Sequence, residues 1–189
     1  MPDRDWWSAL WPEPEDILRK LHVSNGAAAV DLCCGDGYFT VPLCHLTAPE
    51  EVYAVELDPE ILKQAKRYIA NEGAANCIFI GADARNLPDY VPKGVSYVLL
   101  ANTFHGIPDK VGISRAVHEV LKPQGRFGIL NWHTLPREQT RVLGQPRGPA
   151  TEMRLSPEQT QAMVEPAGFA LEGVVELPPY HYGAIFTKP

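Results

Sequence analysis

The chain is 189 residues long and 45% hydrophobic, enough for one sizeable core and too little for two, so residues 1–189 are expected to form a single domain. Its 17 Lys and Arg against 23 Asp and Glu leave a formal net charge of -6, with no broad basic surface, which sets nucleic acid aside as a partner. No apolar run approaches the roughly 18 residues that span a bilayer, and Met1 to Leu10 lacks the charged-then-apolar order of a secretory signal, so the expectation is a cytoplasmic chain with no membrane partner.

The first 22 residues read as an aromatic and helical cap, with Trp6, Trp7 and Trp11 ahead of Pro12 and a helix from about Glu15 to Leu21. Three tryptophans so close together either pack on a sheet edge or roof a ligand. Ala27 to Leu32 is a short apolar run leading into the turn Cys33-Cys34-Gly35-Asp36-Gly37 and a helix from Tyr38 to Leu46. Val52 to Leu57 is a second strand; Asp58-Pro59 then supplies an N-cap and a first-turn Pro, and Ile61, Leu62, Ala65 and Ile69 share one helical face up to Gly73. Cys77 to Ile80 and Val95 to Leu100 are the third and fourth strands, a helix lies between Asp109 and Leu121, and Arg126 to Trp132 is the fifth strand. Residues 133–155 show no period and carry Pro136, Gly144, Pro146, Gly148 and Pro149, which predicts a long ordered loop or lid. Ser156-Pro157-Glu158-Gln159 opens a helix to about Ala167 with a capping box, and Leu171 to Leu177 with Tyr182 to Thr187 form a closing antiparallel pair. The pattern predicts an α/β fold, a doubly wound, mostly parallel seven-stranded sheet with helices on both faces and a C-terminal antiparallel hairpin.

Ligands of such sheets bind beyond the carboxyl ends of the strands. There the chain places Asp31 and the Gly35 to Gly37 turn, Glu56, Asp83, Asn102 to His105, and Trp132 with His133. The glycines admit a ligand to the backbone, the N–H groups opening the next helix suit an anion, and Glu56, roughly twenty residues beyond Gly37, is spaced to take both hydroxyls of a ribose. A dinucleotide and an adenosyl amino acid would both use these parts, and two residues separate them. Thr40 stands where a dinucleotide turn has its third glycine. Asp31 would repel a pyrophosphate but attract the ammonium or sulfonium of S-adenosylmethionine, by about 4 kcal/mol per pair at about 4 Å and an effective dielectric near 20. Cys33, Cys34, Cys44 and Cys77 have no ligand spacing, and no metal is expected.

Val30-Asp31-Leu32-Cys33-Cys34-Gly35-Asp36-Gly37, Glu56 in VYAVELDPEIL, Asp83-Ala84 in GADARNLP, and EVLKPQGRFGILNW from Glu119 to Trp132 resemble, in order, the motifs of the class I S-adenosylmethionine-dependent methyltransferases. The resemblance covers about residues 22 to 189 and is nearest to small methyltransferases grouped with quinone-biosynthesis and arsenite enzymes. It implies S-adenosylmethionine as cofactor and S-adenosylhomocysteine as product, with Asp31, Cys33, Gly35, Gly37, Tyr38, Glu56, Leu57, Asp83, Ala84 and Ala101 as the binding set. In that set Glu56 takes the ribose, and Asp83 with Ala84 the adenine edge. Two residues depart from the family's pattern. Cys33 replaces a usual glycine, at a cost of about 1 kcal/mol if its φ is positive, and Ser96 replaces a common strand aspartate.

The expected reaction is in-line methyl transfer to a small-molecule acceptor, in which positioning supplies much of the rate and no metal is required. His133, His105 and Asn102 are the polar candidates facing the methyl group, although His133 also reads as a loop histidine beside Trp132 and His105 as a cap of the following turn. Trp7, Trp11 and Trp132 are the candidate acceptor contacts, in a pocket between the Trp6 to Trp11 segment, the Asn102 to His105 turn and residues 132–155; this points to a modest apolar or aromatic acceptor. Two other readings compete. A nicotinamide-dependent oxidoreductase is opposed by Thr40 and Asp31, and a non-catalytic binder of S-adenosylmethionine or its product would be expected to show a broken cofactor motif.

Overall fold

The structure, a computed structural model, describes residues 4–189, so the first three residues of the expected cap lie outside the described residues. In chain order the first half comprises α1 (Arg4–Leu10), α2 (Pro14–Lys20), β1 (Ala29–Leu32), α3 (Thr40–Thr47), β2 (Val52–Glu56), α4 (Pro59–Asn71), β3 (Cys77–Gly81), α5 (Leu87–Tyr90) and β4 (Val95–Ala101). The second half comprises α6 (Lys110–Val120), β5 (Leu121–Trp132), β6 (Arg141–Val142), β7 (Gln145–Pro146), α7 (Pro157–Val164), β8 (Ala170–Leu177) and β9 (His181–Thr187).

Seven strands form one sheet in the order β3-β2-β1-β4-β5-β9-β8, parallel from β3 to β5, with β9 antiparallel to both β5 and β8. This is the expected architecture. The order reverses between β1 and β4, the place where a doubly wound sheet opens a crevice. Alternation along the strands sends Val30, Leu32, Val98, Leu100, Phe127 and Ile129 into a core shared with Ile113, Val117 and Val120 of α6 and Val164 of α7. Ala29, Leu99, Leu130 and Trp132 point to the opposite face, which α1 to α3 cover with Trp6, Trp7, Leu18 and Leu43. By the same alternation Asp31 shares the face of Ala29, so its carboxyl group lies on the tryptophan side of the sheet.

Local signals behave as their chemistry requires. Asp58 Oδ1 accepts from the N–H groups of Glu60 at 2.9 Å and Ile61 at 3.3 Å, and in the capping box Ser156 N donates to Gln159 Oε1 at 2.8 Å while Gln159 N donates to Ser156 Oγ at 3.2 Å. Besides shifts of one or two residues at strand and helix ends and the short unpredicted α5 and 3-10 turns, four features differ from expectation. The tryptophan segment is itself helical in α1, a helix too short to show a period, which the burial of Trp6 and Trp7 holds in place. The fifth strand starts at Leu121, because Leu121 pairs with Val95 across the Pro123 to Gly125 turn. The helix after the capping box stops at Val164, and a 3-10 turn at Glu165–Ala167 carries the chain to Gly168 at φ 97°. Residues 133–155 contain two 3-10 turns, Arg137–Gln139 and Thr151–Met153, and the small hairpin of β6 and β7. Among the described residues, no helix is long and apolar enough to cross a membrane.

Candidate active site

The carboxyl ends of β1, β2, β4 and β5 open into one cavity of about 690 Å³, within the usual range for small-molecule sites. Asp31, Cys33, Gly35, Tyr38, Glu56, Leu57 and Ala101 of the expected binding set line it, together with Asn102, His105, Trp7 and Trp132. The structure does not bring the remaining candidates to this wall. Gly37 stands behind the turn at φ 86°, where a Cβ would lie 3.1 Å from Ile69 Cδ1, so it seats α4 against the loop. Asp83 caps the turn at Ala84–Asn86, and its carboxylate is bound by the Arg85 guanidinium, which holds it down at about 2. Trp11 donates its Nε1 to the Pro178 carbonyl at 2.9 Å. His133, one residue past Trp132 and therefore on the other face of the strand, sets its Nε2 2.9 Å from Glu176 Oε2 and its ring against Tyr182.

The turn after β1 is built on left-handed backbone, with Cys33 at φ 60° and Gly35 at φ 57°. Cys33 therefore carries the cost expected of a side chain in that region, about 1 kcal/mol. Burial pushes its thiol up to about 12, so it stays protonated. The Gly35 N–H donates to Glu56 Oε2 and the Asp58 N–H to Glu56 Oε1, each at 3.0 Å. Each oxygen of that carboxylate keeps a lone pair, so Glu56 is oriented by the protein and still able to accept two hydroxyl groups.

Asp31 is 2% exposed, and its Oδ2 accepts from Thr40 Oγ1 at 2.6 Å. Burial first, and then Glu56 and Asp36, raise it to about 7 against the opposing Thr40 bond. A buried carboxyl group with one hydroxyl donor and no cationic side chain of the described residues paired to it suits a ligand ammonium. Thr40, which in the sequence marks only a missing glycine, is the residue that aims it. Across the crevice Asn102 sits at φ 55° with both amide atoms buried and unpartnered, and His105 Nδ1 is likewise buried without a partner. Burial, then Lys110 and Arg154, lower the His105 pKa, so the ring is neutral near pH 7. Orphaned polar atoms in a cavity wall are groups that a ligand can satisfy.

Several wall residues were expected only through the segments that carry them, the Trp6 to Trp11 segment and residues 132–155. Trp6 joins Trp7 and Trp132, while Arg137, Arg147, Gly148 and Pro149 arrive from residues 133–155. Arg154, 4% exposed, ties that segment together: its Nη2 donates to Thr140 Oγ1 at 2.9 Å and the Arg147 carbonyl at 3.1 Å, its Nε to the Pro149 carbonyl at 3.3 Å, and its guanidinium carbon lies 5.0 Å from the Trp132 ring centre. Gly148, at φ 87°, allows the segment to close on Trp132, since a Cβ there would fall 2.7 Å from the indole. His181 is buried beside Trp132 with neither ring nitrogen partnered, and burial keeps it neutral. Among the described residues no group of three His, Cys, Asp or Glu is placed to hold a metal ion.

Residues 29–125 match the family described as methyltransferase domain, slightly more than half of the chain. The demethylmenaquinone methyltransferase of Geobacillus kaustophilus is 30% identical over 112 residues, which are 59% of this chain and 47% of that protein. The chain thus spans about half the length of the curated relatives it matches. Among solved structures, a SAM-dependent methyltransferase from Aquifex aeolicus superposes with a TM-score of 0.85 at 21% identity, covering 99% of this chain and 94% of the other. The cyclase SpnF superposes at 0.70 with 14% identity, covering 93% and 79%, so the fold by itself does not select a reaction.

Proposed function

The chain belongs to the class I S-adenosylmethionine-dependent methyltransferase family, and from that premise we propose that it transfers a methyl group from S-adenosylmethionine to a small-molecule acceptor held under its tryptophan cap. The observation that carries the reading is one cavity lined by the buried Asp31 and the oriented Glu56 on one side and by Asn102, with its unpartnered amide, and His105, with its unpartnered Nδ1, on the side of the aromatic wall. Asp31 would hold the ammonium, Glu56 the ribose hydroxyls, and Gly35 and Leu57 the adenosyl surface. When bound, the cofactor supplies a methyl carbon on a positively charged sulfur that leaves as a neutral thioether, so the acceptor needs only a lone pair. Neutral His105 takes the acceptor's proton where there is one, Asn102 orients the acceptor atom, and Trp6, Trp7 and Trp132 exclude water. The reading includes one catalytic domain in the cytoplasm, with residues 1–22 as cap and 133–155 as lid. Calorimetry with S-adenosylhomocysteine and a labelled-methyl screen over metabolites test it. Tighter binding of NAD than of S-adenosylhomocysteine would overturn it.

His105→Ala is expected to lower methyl transfer to a hydroxyl acceptor by roughly 100-fold to 10,000-fold, the usual worth of a positioned base, with S-adenosylhomocysteine affinity within a few-fold. Raising the pH until the acceptor ionises by itself should recover most of the rate. Equal loss of turnover and cofactor affinity would make His105 a support of the fold.

Asp31 sets a pH dependence of opposite sign for stability and for binding. Its folded, ligand-free pKa is raised to about 7 from 3.8, so its contribution to stability is complete below 3.8 and is lost as pH rises through about 7. Holding an ammonium needs the ionised form, so S-adenosylhomocysteine affinity is expected to fall about tenfold per pH unit below about 7. Asp31→Asn should flatten both profiles in thermal melts and calorimetry. An unchanged affinity profile in that variant would remove Asp31 from the ammonium.

A further inference from the structure

Alternation along β5 sends Leu130 and Trp132 toward the tryptophan side of the sheet, so Asn131 between them points to the opposite face, into the core that Tyr182, its register partner on β9, shares with Phe104. An amide only 1% exposed in such a core must find partners or cost stability. Half of it does. The Leu155 carbonyl can only accept, so the single phenolic proton of Tyr182 goes to it, at 2.9 Å, and the Tyr182 oxygen is left to accept from Thr160 Oγ1 at 2.7 Å and from Asn131 Nδ2 at 3.5 Å. This count fixes which way the amide is turned, with Nδ2 toward Tyr182 and Oδ1 away from it. Oδ1 is buried with no hydrogen-bond partner among the described residues, and so is Nδ1 of His105, on the turn that follows β4. The bond between them is not closed in the structure, but the two side chains act on each other. Burial, then Lys110 and Arg154, lower the His105 pKa, and the Asn131 amide opposes them, as an acceptor of a ring N–H does.

An acceptor and a nitrogen that carries a proton in one tautomer are complementary, so these two orphans can satisfy each other with no ligand between them. We propose that Asn131 is a positioning residue for His105: its Oδ1 accepts the Nδ1 proton, which selects the neutral tautomer with its lone pair on Nε2 and turns that nitrogen to the cavity. Tyr182, held by Leu155 and Thr160, keeps the amide from turning round. The proposal rests on His105 being the base of the methyltransferase reading and adds the group that gives the base its direction. When the ring takes the acceptor's proton at Nε2, the Nδ1–H stays on the amide. Because the amide is neutral, the ring is oriented without being held in its charged, non-basic form, which a carboxylate partner would favour.

Nitrogen NMR on the full chain labelled in its six histidines reads the tautomer directly, with His105→Gln identifying the signals of this ring. The unmodified chain is expected to carry the neutral proton of His105 on Nδ1. Asn131→Leu, close in size and unable to accept, should move the proton to Nε2 and lower the ring pKa further, with S-adenosylhomocysteine affinity within a few-fold. Asn131→Asp restores an acceptor of the same shape and should return the proton to Nδ1 with the ring pKa raised by about one unit or more. Tyr182→Phe leaves Asn131 in place but frees its amide to turn, and should give a mixture of the two tautomers; with Asn131→Asp it decides the matter if Asn131→Leu does not fold. An Nε2–H tautomer in the unmodified chain overturns the proposal. So does an Nδ1–H tautomer that Asn131→Leu or Tyr182→Phe leaves unchanged, or a ring pKa that Asn131→Asp leaves where it was. Failure of the unmodified chain to bind S-adenosylhomocysteine would instead overturn the methyltransferase reading itself.

Discussion

Arg154→Met is expected to reduce methyl transfer at least 100-fold while leaving S-adenosylhomocysteine affinity within a few-fold. Methionine keeps the apolar stem that packs near Trp132 but removes the donors that the Thr140 hydroxyl and the carbonyls of Arg147 and Pro149 accept. The Arg147 carbonyl keeps its bond from Thr140 Oγ1, and each buried acceptor left without a partner costs about 1–3 kcal/mol. These acceptors lie on a surface segment, so they recover water if the segment lifts off, and the loss is felt as opening of 133–155 more than as global unfolding. Lifting withdraws Gly148 from Trp132 and takes Arg137 and Arg147 out of the cavity, while Asp31, Gly35 and Glu56 stay on the sheet. Hydrogen exchange checks this independently of activity: amides of 139–154 should exchange much faster in the variant, and those of β1 and β4 should not. Unchanged protection of the segment together with normal turnover would show that Arg154 is not its anchor.

Glu56→Ala should weaken S-adenosylhomocysteine binding by at least 100-fold. The side chain already orients itself through the N–H groups of Gly35 and Asp58, and charge-assisted bonds to two ribose hydroxyls at about 1.5–3 kcal/mol each give a loss of that order. Glu56→Gln should fall between, because the amide keeps one accepting oxygen and turns a donor toward groups that are themselves donors. The ligand-free melting temperature is expected to drop only slightly, since the half-exposed strand end lets water take over the two N–H groups. Calorimetry reads the affinity, and an undiminished value in Glu56→Ala would remove the ribose assignment.

The sheet, its order of strands and helices, the Asp58 cap, the Ser156 capping box and the glycine turn after β1 were all legible in the sequence. Each depends on residues within a few positions of one another, through a period of two or 3.6, a cap or a left-handed turn. The left-handed Cys33 was legible as a departure and is found as one. The side of the strand on which His133 lies was readable in principle as well, because neighbours along a strand face opposite ways and Trp132 faces the cavity. Trp7 reaches the cavity and Trp11 does not, and that depends on how α1 is rotated against β5 and β9, which no local pattern states. The same holds for Thr40 on Asp31, for His181 among the tryptophans, and for Arg154, whose bonds run to carbonyl oxygens that every residue possesses and that leave no mark on side-chain pattern. The sequence by itself determined the backbone path and which residues stand at the strand ends, because dihedral preference and apolar alternation act over short spans. Only the tertiary structure decided which charges face one another across the cavity, because that is set by how separately formed elements pack.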